Sequence, residues 1–211
     1  DLSHIEGVDS DVIAKWAKEG RYTATTNGAD IKGSDIVVIA VPTPLTRDRK
    51  PDMSFIESAC RTIAENIDRP VLVINESTSF PGTVRNFIKP MIEKLSANKF
   101  EHMYAISPER VDPGRGDYNQ KNTPRLYAGL TPEASELTRE FYSKFCDKLV
   151  EVTSPEVAEA AHAVLREAKS AGVWVFGGGI NEEVPPLMVA GDGGTTQETY
   201  SQTKVFDGGF S

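Results

Sequence analysis

Hydrophobic residues in positions 1–153 follow two spacings that alternate along the chain. Continuous apolar runs at 35–41 and 70–75 are typical of strands covered on both faces, as in a parallel sheet. Between them, residues 53–67 carry apolar side chains at the spacing of an amphipathic helix. The same signals predict the remaining elements: strands at 4–9, 22–26, 103–106, 125–128 and 148–152, and helices at 11–20, 84–95 and 132–146. This alternation predicts βαβ units, so the fold class is α/β, with a doubly wound, Rossmann-like parallel sheet.

Glycine-rich and turn-rich sequence replaces this pattern after about residue 170. Short β-prone pieces at 173–176, 187–190 and 203–206 lie between glycine runs, which predicts hairpins rather than βαβ units. We therefore expect a Rossmann-like domain at 1–153, a connecting helix at 154–171 and a small partial α+β segment at 172–211.

Composition and charge narrow the class of protein. The 211 residues are 39% hydrophobic and 26% charged, which suits a soluble globular protein with a core. The net charge of −8 argues against a nucleic-acid partner, because phosphate backbones are bound by clustered Lys and Arg. No apolar run approaches the roughly 18 residues of a membrane span, so we expect no membrane partner and a cytoplasmic location. Cys60 and Cys146 stand among apolar neighbours, which favours buried structural thiols over a disulfide or a nucleophile.

The loops that follow the predicted strands are the candidate sites, because doubly wound sheets bind ligands at strand carboxyl ends. Asp9 ends a strand and can accept both ribose hydroxyls of an adenosine, although an acid there also suits a helix cap. Val41, Pro42 and Thr43 follow the clearest strand, where proline fixes an extended exit and leaves the backbone open to a ligand. The alternative is an ordinary strand end.

Two further loops carry chemistry. The hydroxyl-rich stretch 76–83, which contains Thr78, leads into a helix and suits a water or a phosphate. Its alternative interpretation is a Thr83 cap with serine and threonine as turn residues. In the stretch 107–114, the adjacent Glu109 and Arg110 could bind a sugar or assist proton transfer, or form a solvated ion pair.

These loops, in this order, resemble the UDP-glucose/GDP-mannose dehydrogenase family over about residues 1–161. The resemblance is carried by Gly7-Val8-Asp9, Asp35-Ile-Val-Val-Ile-Ala-Val-Pro-Thr-Pro44, Glu76-Ser-Thr-Ser-Phe-Pro-Gly-Thr83, Ser107-Pro-Glu-Arg-Val-Asp-Pro-Gly114 and Ser154-Pro-Glu-Val-Ala-Glu-Ala-Ala161. Family members oxidise the C6 alcohol of a nucleotide sugar to a carboxylate with two NAD. The form of the stretch 107–114 resembles the branch that acts on UDP-N-acetylhexosamines.

The resemblance implies a role for each matched residue. Asp9 would hold the adenosine ribose, and Thr43, with Val41 and Pro42, would lie against NAD. Thr78 would orient a catalytic water beside the cofactor. Glu109 would assist hydrolysis of a thioester intermediate, and together with Arg110 it would contact the UDP-sugar. A homo-oligomer is compatible with this assignment.

The departures from the family pattern are equally informative. The first strand and its Gly-x-Gly-x-x-Gly loop would precede Asp1, so the sheet is expected to lack its first strand. The family's catalytic Lys aligns with His162, its Asn partner with Arg166, and neither cysteine stands in a Gly-Gly-x-Cys motif. The chain is therefore expected to be an inactive fragment as it stands. The alternatives are a non-catalytic nucleotide-binding module and a fusion of two unrelated partial genes.

From about residue 163 the chain resembles a different family, the YCII-related or DGPF proteins, which are small dimeric α+β barrels. The resemblance rests on Leu165 to Gly179, Asp192-Gly193 and Thr203 to Phe210. The run Gly177 to Gly179 lies between β-prone pieces, which favours a hairpin turn over a phosphate loop.

Overall fold

A five-stranded sheet forms the centre of the described structure. The computed structural model describes residues 10–47, 51–97, 99–108 and 121–161, and the backbone of 173–176 and 188–191. The sheet consists of β1 (Ile36–Ile39), β2 (Leu72–Asn75), β3 (Met103–Ile106), β4 (Arg125–Gly129) and β5 (Leu149–Glu151). The strands lie in the order β1-β2-β3-β4-β5.

Strand direction confirms the predicted parallel sheet and adds one exception. β1, β2 and β3 are parallel, as are β4 and β5, but β3 and β4 are antiparallel. Parallel neighbours need a crossover, usually a helix, whereas antiparallel neighbours do not. The sequence between β3 and β4 has no helical spacing of apolar residues, which is consistent with the antiparallel pair.

Helices cover both faces of the sheet. They are α1 (Ser10–Lys18), α2 (Ser54–Asn66), α3 (Lys89–Leu95) and α4 (Pro132–Tyr142), with a further helical stretch at 155–161. Alternate residues of β2 point to opposite faces, as strand geometry requires. Val73 packs in the cluster that contains Ile63 and Ile92 of α2 and α3, whereas Ile74 packs with Tyr142 of α4. The doubly wound arrangement is therefore confirmed.

Burial separates the two strands that the sequence treats alike. All four residues of β2 are buried, as its continuous apolar run predicts. In β1 only Ile39 is buried, and Ile36, Val37 and Val38 are half-buried. The expectation of full cover on both faces was therefore wrong for β1.

Local signals set several helix ends. The Thr131 side chain accepts a hydrogen bond from the Ala134 N–H at the start of α4, as its position before Pro132 predicts. Gly20 follows α1 with φ of +68°, a conformation that glycine adopts without strain. α4 ends at Tyr142, earlier than the predicted limit of 146.

The predicted helix at 84–95 is interrupted near its start. Val84–Ile88 forms a π-helical turn, in which Lys89 N–H donates to Val84 O, and α3 follows. Pro90 has no N–H, and its ring crowds the carbonyl one turn earlier, so the backbone widens before it.

Two other predicted strands have different outcomes. Residues 22–26 form no strand; instead the Thr25 hydroxyl donates to Asp30, and the Asn27 side chain caps the 3₁₀ turn Gly28–Ile31. The predicted strand at 4–9 lies outside the described residues. Farther along, β6 (Val173–Phe176) and β7 (Met188–Gly191) pair antiparallel, as the hairpin prediction required.

Candidate functional site

One serine joins the carboxyl ends of β1 and β2. The Ser77 hydroxyl accepts from Val41 N–H at 2.8 Å and donates to Val41 O at 2.8 Å. The Ser77 N–H also donates to Ile39 O at 3.2 Å. Because both backbone groups of Val41 are bound, the segment that continues to Pro42 and Thr43 is fixed against the loop that carries Thr78.

The loop after β2 is also held from within. The buried Asn75 amide donates to Ser77 O and to the Ser79 hydroxyl, each at 3.1 Å. Ser77 and Ser79 are buried, whereas Thr78 between them is half-buried and Phe80 is exposed. The hydroxyl-rich stretch is therefore a rigid turn that leaves Thr78 accessible.

A buried carboxylate occupies the start of the next helical segment. Glu159, 1% exposed, accepts from Gly82 N–H at 2.5 Å and from Val84 N–H at 3.0 Å. Thr83 does not cap this segment; its hydroxyl donates to Phe80 O at 2.6 Å. The expected Thr83 side-chain cap was therefore wrong, because Glu159 takes the Gly82 and Val84 N–H groups, whereas Ser77, Ser79 and Thr83 do act as turn residues.

Burial gives the Glu159 carboxyl a higher pKa in the folded protein than in the unfolded chain. Desolvation raises the pKa of Glu159 to about 7 from an ordinary value of 4.5, although the N–H groups of Val84 and Gly82 oppose the shift. The folded state therefore holds this proton more tightly than the unfolded state does. Its stabilising contribution is complete below about pH 4.5 and is lost as the pH rises to about 7.

We expect Glu159→Gln to remove this part of the pH dependence. Between about pH 4.5 and pH 7, the wild type should lose up to about 3 kcal/mol of unfolding free energy that the variant does not lose. Urea denaturation at several pH values measures it. Glu156→Gln is the matched control: Arg85 lowers the pKa of Glu156 to about 2, so its effect should appear on acidification below pH 4.5. An unchanged pH slope in Glu159→Gln would contradict the assignment.

A buried ion pair lies at the same edge of the sheet. Arg125 Nη1 donates to Glu76 Oε1 at 2.7 Å and lies 3.4 Å from both Ser107 O and Ser107 Oγ. The Tyr142 hydroxyl also donates to Glu76. The pKa of Tyr142 is raised, mainly by burial and to a smaller extent by the negative charge of Glu76. Sequence reasoning missed Arg125, because nothing local marks an arginine at the start of a strand as an ion-pair partner.

The predicted site residues fall into two groups. Val41, Pro42, Thr43 and Thr78 lie at the carboxyl edge of β1 and β2, joined through the Val41–Ser77 bonds. Asp9, Glu109 and Arg110 lie outside the described residues, so their convergence with Thr78 stays a prediction.

The cysteines behave as the sequence indicates. Cys60 and Cys146 form no disulfide, and both are buried. Desolvation raises the pKa of the Cys60 thiol to about 12, so it stays protonated at neutral pH. Among the described residues no group of His, Cys, Asp and Glu has the arrangement of a metal site, and no helix is long and apolar enough to cross a membrane.

Comparison with known proteins identifies the class of protein to which this doubly wound fold belongs. Residues 2–146 match the model of the NAD binding domain of the UDP-glucose/GDP-mannose dehydrogenase family. The chain therefore belongs to this family, and NAD is the cofactor of the matched domain.

Individual relatives agree with this assignment. UDP-N-acetyl-D-mannosamine dehydrogenase of Pyrococcus horikoshii is 36% identical over 142 residues, 66% of this chain and 34% of that protein. UDP-N-acetyl-D-glucosamine 6-dehydrogenase of Pseudomonas aeruginosa is 31% identical over 165 residues, 75% of this chain and 39% of that protein. The solved structure of the Pyrococcus horikoshii enzyme superposes with a TM-score of 0.72 at 32% identity, covering 81% of this chain and 41% of that one. The chain thus spans about two fifths of the length of the relatives it matches. The family match ends at residue 146, and the YCII-related resemblance of 163–211 stays a prediction.

Proposed function

We propose that residues 1–153 are the NAD-binding domain of a nucleotide-sugar 6-dehydrogenase, which oxidises the C6 alcohol of a UDP-sugar to a carboxylate with two NAD. The observation that supports this most strongly is the pair of hydrogen bonds between Val41 and Ser77, because it holds two strand-end loops together at one edge of the sheet. Doubly wound sheets bind dinucleotides outside the carboxyl ends of their strands. We place the boundary to the connecting helix near residue 154, and the cytoplasm as the site of action.

The roles within this site follow from position. Thr43 would lie against NAD, and Thr78, held between two buried serines, would orient a water beside it. Asp9 would accept the ribose hydroxyls, and Glu109 and Arg110 would meet the sugar. The pyrophosphate would not lie at the Gly82 and Val84 N–H groups, since Glu159 already binds both.

A UDP-N-acetylhexosamine is the proposed substrate. Two lines support it: the form of the stretch 107–114, and relatives named as dehydrogenases of UDP-N-acetyl-D-mannosamine and UDP-N-acetyl-D-glucosamine. The UDP-sugar is therefore the partner that we assign to the full enzyme.

A non-catalytic nucleotide-binding module is the second candidate. It is favoured by the burial of both cysteines and the raised pKa of Cys60, which leave no described thiol available as a nucleophile.

The proposal predicts where NAD⁺ acts on the protein. Titration of the full chain with NAD⁺, followed by amide NMR shifts, should move the signals of Val41, Thr43 and Thr78. Amides at the opposite ends of the same strands, such as Ile36 and Leu72, should stay unchanged, because parallel strands expose only one carboxyl edge.

A charge variant makes this test sharper. Thr43→Glu places a carboxylate against the expected NAD⁺, whose pyrophosphate is anionic, and should weaken NAD⁺ binding about tenfold, since like charges repel. Ser34→Glu adds the same charge before β1, at the other edge, and should leave binding unchanged. Equal effects of the two variants, or shifts confined to other parts of the chain, would overturn the proposed site.

A further inference from the structure

Arg125 lies where three strand ends meet. It is 4% exposed and begins β4, and its guanidinium contacts Glu76, directly after β2, and Ser107, directly after β3. The Glu76 N–H donates to Ile39 O at 2.9 Å, which extends the connection to the end of β1. One buried side chain is thus linked to every described strand end that borders the candidate cofactor site.

Stability alone does not account for a buried ion pair in this place. Desolvation of two charges offsets much of their attraction, and apolar replacements of similar volume are often as stable. What such a pair supplies instead is a fixed geometry, since a guanidinium has several donors in one rigid plane. Here one nitrogen of that plane, Nη1, reaches the Glu76 carboxylate and both oxygens of Ser107.

Tyr142 of α4 packs directly against the pair. Its ring centroid lies 4.5 Å from the Arg125 guanidinium carbon, and its hydroxyl donates to Glu76. The Glu76 side chain is therefore bound on two sides, and its backbone begins the loop that carries Thr78.

We propose that Arg125 is a positioning residue for the cofactor site: by binding Glu76 and Ser107 together, it fixes the 76–83 loop relative to the end of β3. This inference rests on the proposed function for its consequence in binding, but the mechanical link itself is independent of any ligand.

Amide hydrogen exchange on the full chain tests the link. Arg125→Met alone leaves the Glu76 carboxylate half-buried without its cation, which can unfold the protein, so the double variant Arg125→Met/Glu76→Gln is used. Exchange at the Ser77 and Ser107 amides should accelerate at least about tenfold relative to Ile74 and Ala105 within the strands. The matched control is Arg139→Met/Glu136→Gln, an ion pair on the exposed side of α4, which should change none of these amides.

The outcomes separate positioning from general stability. Equal acceleration at all four amides would show that Arg125 only stabilises the fold, and no acceleration would show that the loops are held by other bonds; either result overturns the proposal. With NAD⁺ added, the double variant should bind about tenfold more weakly than the wild type, as misplaced contacts lose affinity. If the wild type itself shows no NAD⁺ shifts, the proposed function fails while the exchange comparison still decides the role of Arg125.

Discussion

Gly129→Ala is expected to lower the free energy of unfolding by about 3 kcal/mol or more, a large share of the stability of an ordinary domain. A Cβ at this position would lie 2.3 Å from Ser135 N and 2.7 Å from the Ala134 carbonyl carbon. Both are backbone atoms of α4, which cannot rotate away as a side chain can. The Gly129 N–H also donates to the Ser135 hydroxyl at 2.8 Å, so β4 and α4 are held at this separation.

Urea denaturation followed by circular dichroism measures this effect. Gly28→Ala is the matched control, because its Cβ would meet the Thr62 methyl group at 2.8 Å and the Asn66 amide at 3.1 Å, both movable side-chain ends. We expect it to cost less than about 1.5 kcal/mol. Ser135→Ala removes only the hydrogen bond and should cost about 1 kcal/mol. A loss for Gly129→Ala no larger than that for Gly28→Ala would show that β4 and α4 can separate freely.

The chain as given is expected to form no NADH with any UDP-sugar. The family resemblance implies oxidation through a thioester, whose formation requires a reactive thiol. Cys60 and Cys146 are buried, and the pKa of Cys60 is raised to about 12. The resemblance also places His162 at the position of the family's lysine. These changes act on different steps, so their effects on the rate multiply, and each can cost several orders of magnitude.

The measurement is absorbance of NADH with UDP-N-acetylglucosamine, UDP-N-acetylmannosamine and UDP-glucose. Folded protein is verified in the same sample by its amide spectrum, so that an inactive result is not an unfolded one. Glu109→Ala and Glu101→Ala are compared, the second being an exposed acid before β3. Turnover that Glu109→Ala abolishes and Glu101→Ala preserves would show that another residue replaces the thiol.

Local sequence signals predicted the elements well where burial and capping agreed. The limits of β3 matched the prediction, and α4 began at the proline that follows its threonine cap. β2 was predicted correctly because a short, continuous run of apolar residues bounded by turns is typical of a strand that is buried on both faces. The strand predicted at 22–26 was wrong, because polar side chains there bond within a turn rather than to a neighbouring strand.

The site was predicted only in part, because local sequence gives the strand ends but not the distant side chains that bind them. Positions after strands placed Val41, Thr43 and Thr78 at one edge of the sheet, since strand order brings such positions together, and their contact with NAD stays a prediction. The residues that hold this edge were missed: Ser77 was noted only as one hydroxyl among several, and Arg125 and Glu159 carry no local signature.

The sequence by itself determined most of the succession of strands and helices and the family, because these follow from apolar spacing and short motifs. Only the tertiary structure decided which buried groups satisfy one another. Glu159 caps Gly82 across 77 positions, and Arg125 binds Glu76 across 49. The antiparallel pairing of β3 and β4 is a decision of the same kind. A buried N–H or charge must find some partner, but the chain pattern does not specify which distant residue the packed fold will supply.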